Sequence, residues 1–190
     1  MSNTKINRTR LRALTEAGIF VAIAVVLHML RFRLMPQGGS VSFILVPLVI
    51  LSIRWGLSWG LLSCFAFGIL RAIMAGGFGW GWQAVLLDFF VANTVVGLAG
   101  LFYRRGGTAP VLAALLAGFL QYAVHWLAGG LIFYVWMPAE FLGMPMVDPW
   151  VYSLIYNGLY MVPNILMAVI VVGVLAGPLG KFYRGEDLAR

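Results

Sequence analysis

The sequence predicts an all-α integral membrane protein with six transmembrane helices and cytoplasmic N- and C-termini. Three observations carry that expectation. Of 190 residues, 62% are hydrophobic and 10% are charged, against about 45–50% and about 25% in a soluble domain. The apolar residues gather in six successive segments, and a spanning helix takes about 20 residues. The basic residues fall between those segments, with a strong bias to one side. So much apolar surface does not fit inside one core of this size. An ordinary soluble domain, a disordered chain and a disulfide-rich secreted module are all excluded.

The N-terminus, MSNTKINRTRLRALTEAGIF, is basic and leads into a long apolar stretch. No small-x-small cleavage site ends that stretch, so it reads as a retained first helix at about 11–30 rather than a signal peptide. The second segment, about 41–54, starts after Gly38-Gly39-Ser40 and stops near Arg54. It is short, and reads as tilted, broken or only partly spanning. The third covers about 57–75, and the fourth about 84–102, closed by Tyr103-Arg104-Arg105-Gly106-Gly107. The fifth covers about 109–134, and the sixth about 150–177, followed by Gly177-Pro178 and a polar tail. With no internal repeat and no linker, a single domain over 1–190 is expected. The spans leave no length for a folded ATPase, and no G-x-x-x-x-G-K-[ST] run occurs. Any nucleotide hydrolysis is therefore expected on a separate chain.

Charge sets the orientation. With the N-terminus inside, the cytoplasmic set is Lys5, Arg8, Arg10, Arg12, Arg54, Arg104, Arg105, Lys181, Arg184 and Arg190. The outer set is only Arg31, Arg33 and Arg71. This is the positive-inside pattern. It assigns the net charge of +7 to membrane lipid and topology rather than to nucleic acid. Glu140 and Asp148 then fall in the outer loop between helices five and six.

An ionisable group inside a span costs at least about 2.5–3.5 kcal/mol on insertion scales, so such groups are the informative ones. Asp88 lies near the outer end of helix four, His125 inside helix five, and Asn157 in the outer half of helix six. His28 and Arg71 lie near the outer ends of helices one and three. By topology all approach one outward-facing cavity. Each also has a plain structural reading. His125 can donate to a backbone carbonyl, Asp88 can pair with Arg71, and Asn157 can join two helices. Arg31 and Arg33 are expected to meet water or headgroups.

Aromatic residues crowd the same ends, in the manner of an interfacial belt. Trp126, Phe133, Tyr152 and Tyr156, however, share spans with His125 and Asn157. Aromatic faces beside a carboxylate suit a flat, cationic, heteroaromatic ligand, which they hold by stacking and cation–π attraction. In helix one, Gly18 with Ala22, and Ala13 with Ala17, form small-xxx-small pairs that serve internal packing or the docking of another membrane subunit. Cys64, the only cysteine, lies in an apolar run and reads as a packing residue. No cofactor is expected, and the scattered histidines and cysteine give no metal-ligand spacing. An intramembrane hydrolase using Ser58 and His125 is disfavoured, because Ser58 belongs to the cytoplasmic turn between helices two and three.

Four stretches, in order along the chain, carry a family resemblance: MPQGGSV at 35–41, LLDFFVANTVVGLAGLF at 86–102, HWLAGGLIFYVWMP at 125–138 and YSLIYNG at 152–158. Each resembles the thiamine-specific S components of energy-coupling factor transporters. The resemblance implies a binding subunit, not an enzyme, in a prokaryotic plasma membrane. Such a subunit captures extracellular thiamine and works with a transmembrane subunit and two cytoplasmic ATPases. It implies a ligand site at Asp88, His125, Gly129, Phe133, Tyr152 and Asn157. Gly18 and Ala22 would form the docking pair, and Gly38, Gly39 and Ser40 a lid over the site. The family pattern of glutamate then tyrosine is here Asp88-Phe89, and Phe133 stands in place of tryptophan. A thiamine precursor or phosphate ester is the related alternative, with Arg31, Arg33 and Arg71 available to a phosphate.

Overall fold

Lipid offers backbone N–H and C=O groups no partners, so a chain this apolar closes its hydrogen bonds within helices. The structure, a computed structural model, describes residues 2–35, 38–77, 81–132 and 137–188. The apolar segments form α1 (Ser2–Met29), α2 (Leu45–Trp55), α3 (Leu57–Met74), α4 (Trp82–Phe102), α5 (Ala109–Ile132) and α6 (Pro149–Leu175). A short helix α7, Gly180–Tyr183, follows. Helix α1 begins at Ser2 rather than near residue 11. The loops hold two small antiparallel hairpins, β1 (Phe32–Arg33) with β2 (Ser40–Val41) and β3 (Glu140–Phe141) with β4 (Met144–Pro145). The fold is thus helical with two two-residue hairpins, not purely α.

Among the described residues, five helices are long and apolar enough to cross a membrane, and α2 is not among them. Its 11 residues extend about 16 Å, half of a hydrocarbon core of about 30 Å. Every residue of α2 is buried. A helix that is apolar on all sides belongs inside a bundle rather than against lipid. Leu48, Val49 and Ile53 accordingly join Phe67 of α3, Ala113 of α5 and Val172 of α6 in the main core. Cys64 packs in the same core.

Small residues set the closest helix contact. A Cβ on Gly97 of α4 would lie 2.5 Å from the backbone of Gly60 and Leu61 in α3. One on Gly100 would lie 2.6 Å from Gly56 and Leu57. Glycines here let two helices approach in lipid, where no hydrophobic force draws them together. Helix α4 is also irregular: Val85–Val91 is π-helical and Val95–Phe102 is 3-10 helical. Asn93 Nδ2 donates to the Phe89 carbonyl (2.6 Å) and Thr94 Oγ1 to the Phe90 carbonyl (2.6 Å), supplying donors where the regular ladder is broken.

At one end of the bundle, Arg54 is fully buried. Its guanidinium donates to both oxygens of Glu16, to Asp187 Oδ1 and Oδ2 (2.8 and 2.9 Å) and to the Phe182 carbonyl (2.7 Å). Trp55 Nε1 donates to Glu16 as well (2.8 Å), and Arg12 pairs with both Glu16 and Asp187. The Phe182 ring covers the guanidinium, 3.7 Å from its Cζ. Counting charges along the chain marked Arg54 only as a topology signal. In the structure it is a buried hub that ties α1, the end of α2 and the C-terminal tail together.

Hydrogen bonding to Arg54 holds the Asp187 carboxyl down, from 3.8 to about 2. A carboxyl lowered on folding contributes its full stability above the unfolded value and loses it as pH falls through the folded one. Asp187→Asn should therefore lower Tm at pH 7. The gap to wild type should close as pH falls from about 4 to about 2, read by thermal melts in detergent. A gap independent of pH would contradict the ion-pair account.

Candidate functional site

At the other end of the bundle lies a cavity of about 300 Å³, in the range of small-molecule sites. Helices α4, α5 and α6 bring Asp88, His125, Gly129 and Asn157 to its wall. The π-helical segment carries Asp88, whose carboxyl is one-third exposed. Its Oδ1 lies 2.8 Å from His125 Nδ1, while the His125 side chain is 5% exposed. The carboxylate therefore fixes the imidazole. This replaces both simpler expectations, a histidine bonded to a carbonyl and an Asp88–Arg71 ion pair. Asn157 does serve as glue, since its Nδ2 donates to the His125 carbonyl (3.2 Å) and the Ser153 carbonyl (2.9 Å). Its Oδ1 accepts from Tyr160 Oη (2.5 Å). The same amide lines the cavity, so gluing and lining coincide in one side chain.

Tyr152 stands behind Tyr156. It is buried but does not line the cavity. Asp148 caps α6 by accepting from Trp150 N (2.7 Å), with Pro149 opening the helix. Tyr152 thus sits in the first turn, against Phe141 of the second hairpin at 5.2 Å between ring centroids. One and two turns deeper on the same face, Tyr156 and Tyr160 take the lining positions. Tyr152 supports Tyr156, with ring centroids 5.5 Å apart. Phe133 lies outside the described residues.

The segment between α1 and α2 contributes to the cavity wall. Gly38 and Gly39 line it, and Ser40 lines a small adjoining cleft. Gly38 has φ 101°, a conformation suited to glycine. At Gly39 the constraint is space, since a Cβ would lie 2.6 Å from the Tyr160 ring. Gly39 N donates to Tyr156 Oη (3.3 Å), Asn164 Nδ2 donates to the Ser40 carbonyl (3.0 Å), and Ser42 N donates to Asn164 Oδ1 (2.7 Å). Helix α6 therefore holds the hairpin in place.

The structure also puts Arg31 and Arg33 in the cavity wall, together with His28 and Arg71. The arginines on the hairpin side were expected to face water or headgroups. The turn at the end of α1 folds them back, with Arg31 Nη1 donating to the His28 carbonyl (2.6 Å). Burial, followed by the charges of Arg33 and Arg71, lowers the Arg31 pKa. Beneath the cavity, Asn93, Gln121 and Asn164 line the adjoining cleft. Sequence reasoning passed over these three amides. The signal that singled out Asn157, a polar side chain within an apolar run, was present at each. Ser58, in the first turn of α3 at the opposite end of the bundle, is not near His125.

Membrane-length helices around a cavity of this size, with charged and amide side chains in an otherwise apolar wall, make up a helical membrane protein with room for a small molecule. The sequence profile described as thiamine transporter protein (Thia_YuaJ) matches residues 14–183. The chain belongs to that family, whose members are transporters and not enzymes. It is 33% identical to thiamine transporter ThiT of Bacillus subtilis, over 85% of this chain and 88% of that one. It is 28% identical to thiamine transporter ThiT of Lacticaseibacillus paracasei, over 94% and 93% of the two chains. The fold resembles a solved structure of ThiT from Listeria monocytogenes, with TM-score 0.77 and 19% identity, covering 92% of this chain and 98% of that one.

The contact between Gly39 and Tyr160 gives a direct test of the seated hairpin. Gly39→Val should push the hairpin off α6 and open its backbone locally. Limited trypsin treatment should then cut after Arg31 and Arg33 several times faster than in wild type, with the helices equally resistant. Equal cleavage rates would show that the hairpin is not held at this point.

Proposed function

We propose that this chain is the thiamine-binding S component of an energy-coupling factor importer in a prokaryotic plasma membrane. The observation that carries this reading is the convergence of Asp88, His125 and Asn157, from three helices, on one cavity. Thiamine joins an aminopyrimidine, with donors and acceptors on its edge, to a positively charged thiazolium. Asp88 balances the cation, His125 and Asn157 take the polar edges, and the Tyr156 and Tyr160 rings supply aromatic faces. Gly129 lines the cavity one turn along α5 from His125. Phe133 adds a further ring in this reading.

Six crossings, with both termini cytoplasmic, complete the reading. The Arg54 hub holds the first half of α1 and the tail after α7 at the same end of the bundle. Two chain ends on one face require an even number of crossings. The hairpin and α2 together make the second crossing, although α2 alone is too short. The cavity then faces outward, the hairpin carrying Gly38, Gly39 and Ser40 acts as its lid, and the hub faces the cytoplasm.

Uptake against a gradient requires a transmembrane partner and two cytoplasmic ATPases. The two small-residue pairs of α1 divide between the two roles left open by the sequence. Ala13 and Ala17 are buried against Leu51 and Trp55. Gly18 and Ala22 are exposed, and a Cβ on Gly18 would meet nothing within 4 Å. That open face suits close packing against another helix.

Leaving a buried polar partner unpaired costs about 1–3 kcal/mol, and more for a charge. Asp88→Asn or Asn157→Ala should therefore weaken thiamine binding by about ten-fold or more in a tryptophan-fluorescence titration. Wild-type affinity in both folded variants would remove the site from this cavity. Gly18→Trp should leave thiamine binding intact while abolishing uptake and co-purification with the transmembrane subunit. Loss of binding together with uptake would instead assign Gly18 to the bundle's own packing.

A further inference from the structure

The charges in the cavity do not match a simple cation. Three guanidiniums, of Arg31, Arg33 and Arg71, share its wall with a single carboxylate, Asp88. That carboxylate is engaged with His125 and makes no ion pair with any of the three. A ligand carrying only positive charge would enter a pocket already in cationic excess.

The basic wall is also short of partners. His28 is 3% exposed and lines the cavity, yet neither of its ring nitrogens has a hydrogen-bond partner among the described residues. The buried Nε of Arg71 has none either. One Nη of Arg71 reaches Asn93 Oδ1 only at 3.4 Å. Arg31 spends one donor on the His28 carbonyl. Arg33 is exposed and makes no hydrogen bond or ion pair with the described residues, so the buried groups without partners are those of His28 and Arg71. Buried polar groups normally find partners, and a group without one in a cavity wall marks a place where a ligand supplies it. The Arg54 hub in the same molecule shows the contrast, with a guanidinium satisfied by two carboxylates and a carbonyl.

We infer that His28, Arg31, Arg33 and Arg71 form an anion subsite, and that the ligand which fills the cavity best is a phosphate ester of thiamine. The inference rests on reading this cavity as the thiamine site. The ester is a zwitterion whose two charges match the two walls. Its thiazolium sits by Asp88, and its phosphate takes the fork-like donors of the arginines, which bind phosphate oxygens in pairs. The imidazole of His28 supplies one more donor. The hairpin residues Gly38 and Gly39 line the same compartment and offer it backbone rather than side chain.

Titration of the purified full-length chain with thiamine and with thiamine monophosphate, at equal ionic strength, tests the subsite. Wild type should bind the ester about ten-fold more tightly than thiamine. Arg33→Gln and Arg71→Gln should each weaken ester binding by about ten-fold while leaving thiamine binding equal or tighter, since a repelling charge is gone. Opposite responses to the two ligands distinguish a charge contact from damage to the fold. Arg33 is exposed, so its variant carries the test even if the Arg71 variant fails to fold. Parallel weakening of both ligands, or an ester that binds no better than thiamine and ignores both substitutions, would overturn the subsite alone. Ester binding without thiamine binding would uphold the subsite and overturn thiamine itself as the cargo. Inorganic phosphate should compete with the ester and not with thiamine. Competition by anionic lipid in nanodiscs, with none by phosphate, would assign the wall to headgroups and overturn the inference.

Discussion

Inside a bilayer, a charged side chain has no solvent to fall back on, and the two ends of this bundle answer that constraint in opposite ways. At one end, Arg54 is completely buried and its donors meet Glu16, Asp187 and the Phe182 carbonyl. At the other, His28 and Arg71 keep polar atoms without partners beside an open volume. The first arrangement fastens three parts of the chain and leaves nothing for a ligand. The second holds its groups in place by other means and leaves their bonding capacity to an incoming molecule. Stability and recognition are thereby separated along the axis of one small bundle.

Helix α6 links the two tasks. Its first turns hold α5 through Ser153, Asn157 and the carbonyl that accepts from Trp126, and they seat the first hairpin through Tyr156 and Asn164. The cavity wall and the first hairpin are therefore positioned by one element. The first hairpin rests on side chains that also line the cavity, Tyr156 and Tyr160 above all.

The long apolar runs of α3, α4, α5 and α6 were legible in the sequence to within a few residues, because a membrane-length run has few alternatives. So were Asp88, His125, Gly129 and Asn157 as cavity residues, the three ionisable or amide groups standing out against apolar surroundings and the glycine through family resemblance. The seat of Tyr152 behind Tyr156 was not legible, because it depends on the cap of α6 at Asp148 and on Phe141 from a separate hairpin. The burial of Arg54 was hidden because its partners lie 38 and 133 positions away. The place of Arg31 and Arg33 at the cavity depends on a turn and a two-residue hairpin, which leave almost no periodic signal. The π segment of α4 is likewise silent in composition, since its residues are as apolar as those of any spanning helix.

That π segment has a consequence for how this architecture can change over time. A π turn holds an additional residue relative to an α turn, and in α4 it separates the glycines that face α3 from the carboxylate that faces α5. Loss of a single residue between 85 and 91 would let that stretch close as a regular helix, keeping the flanking faces in phase but changing which side chain the segment presents to the cavity. Ligand chemistry in this helix is thus adjustable by chain length as well as by side-chain identity. Descendants of one ancestral sequence can diverge in what they carry through an insertion or deletion, while the seam between α3 and α4 stays unaltered.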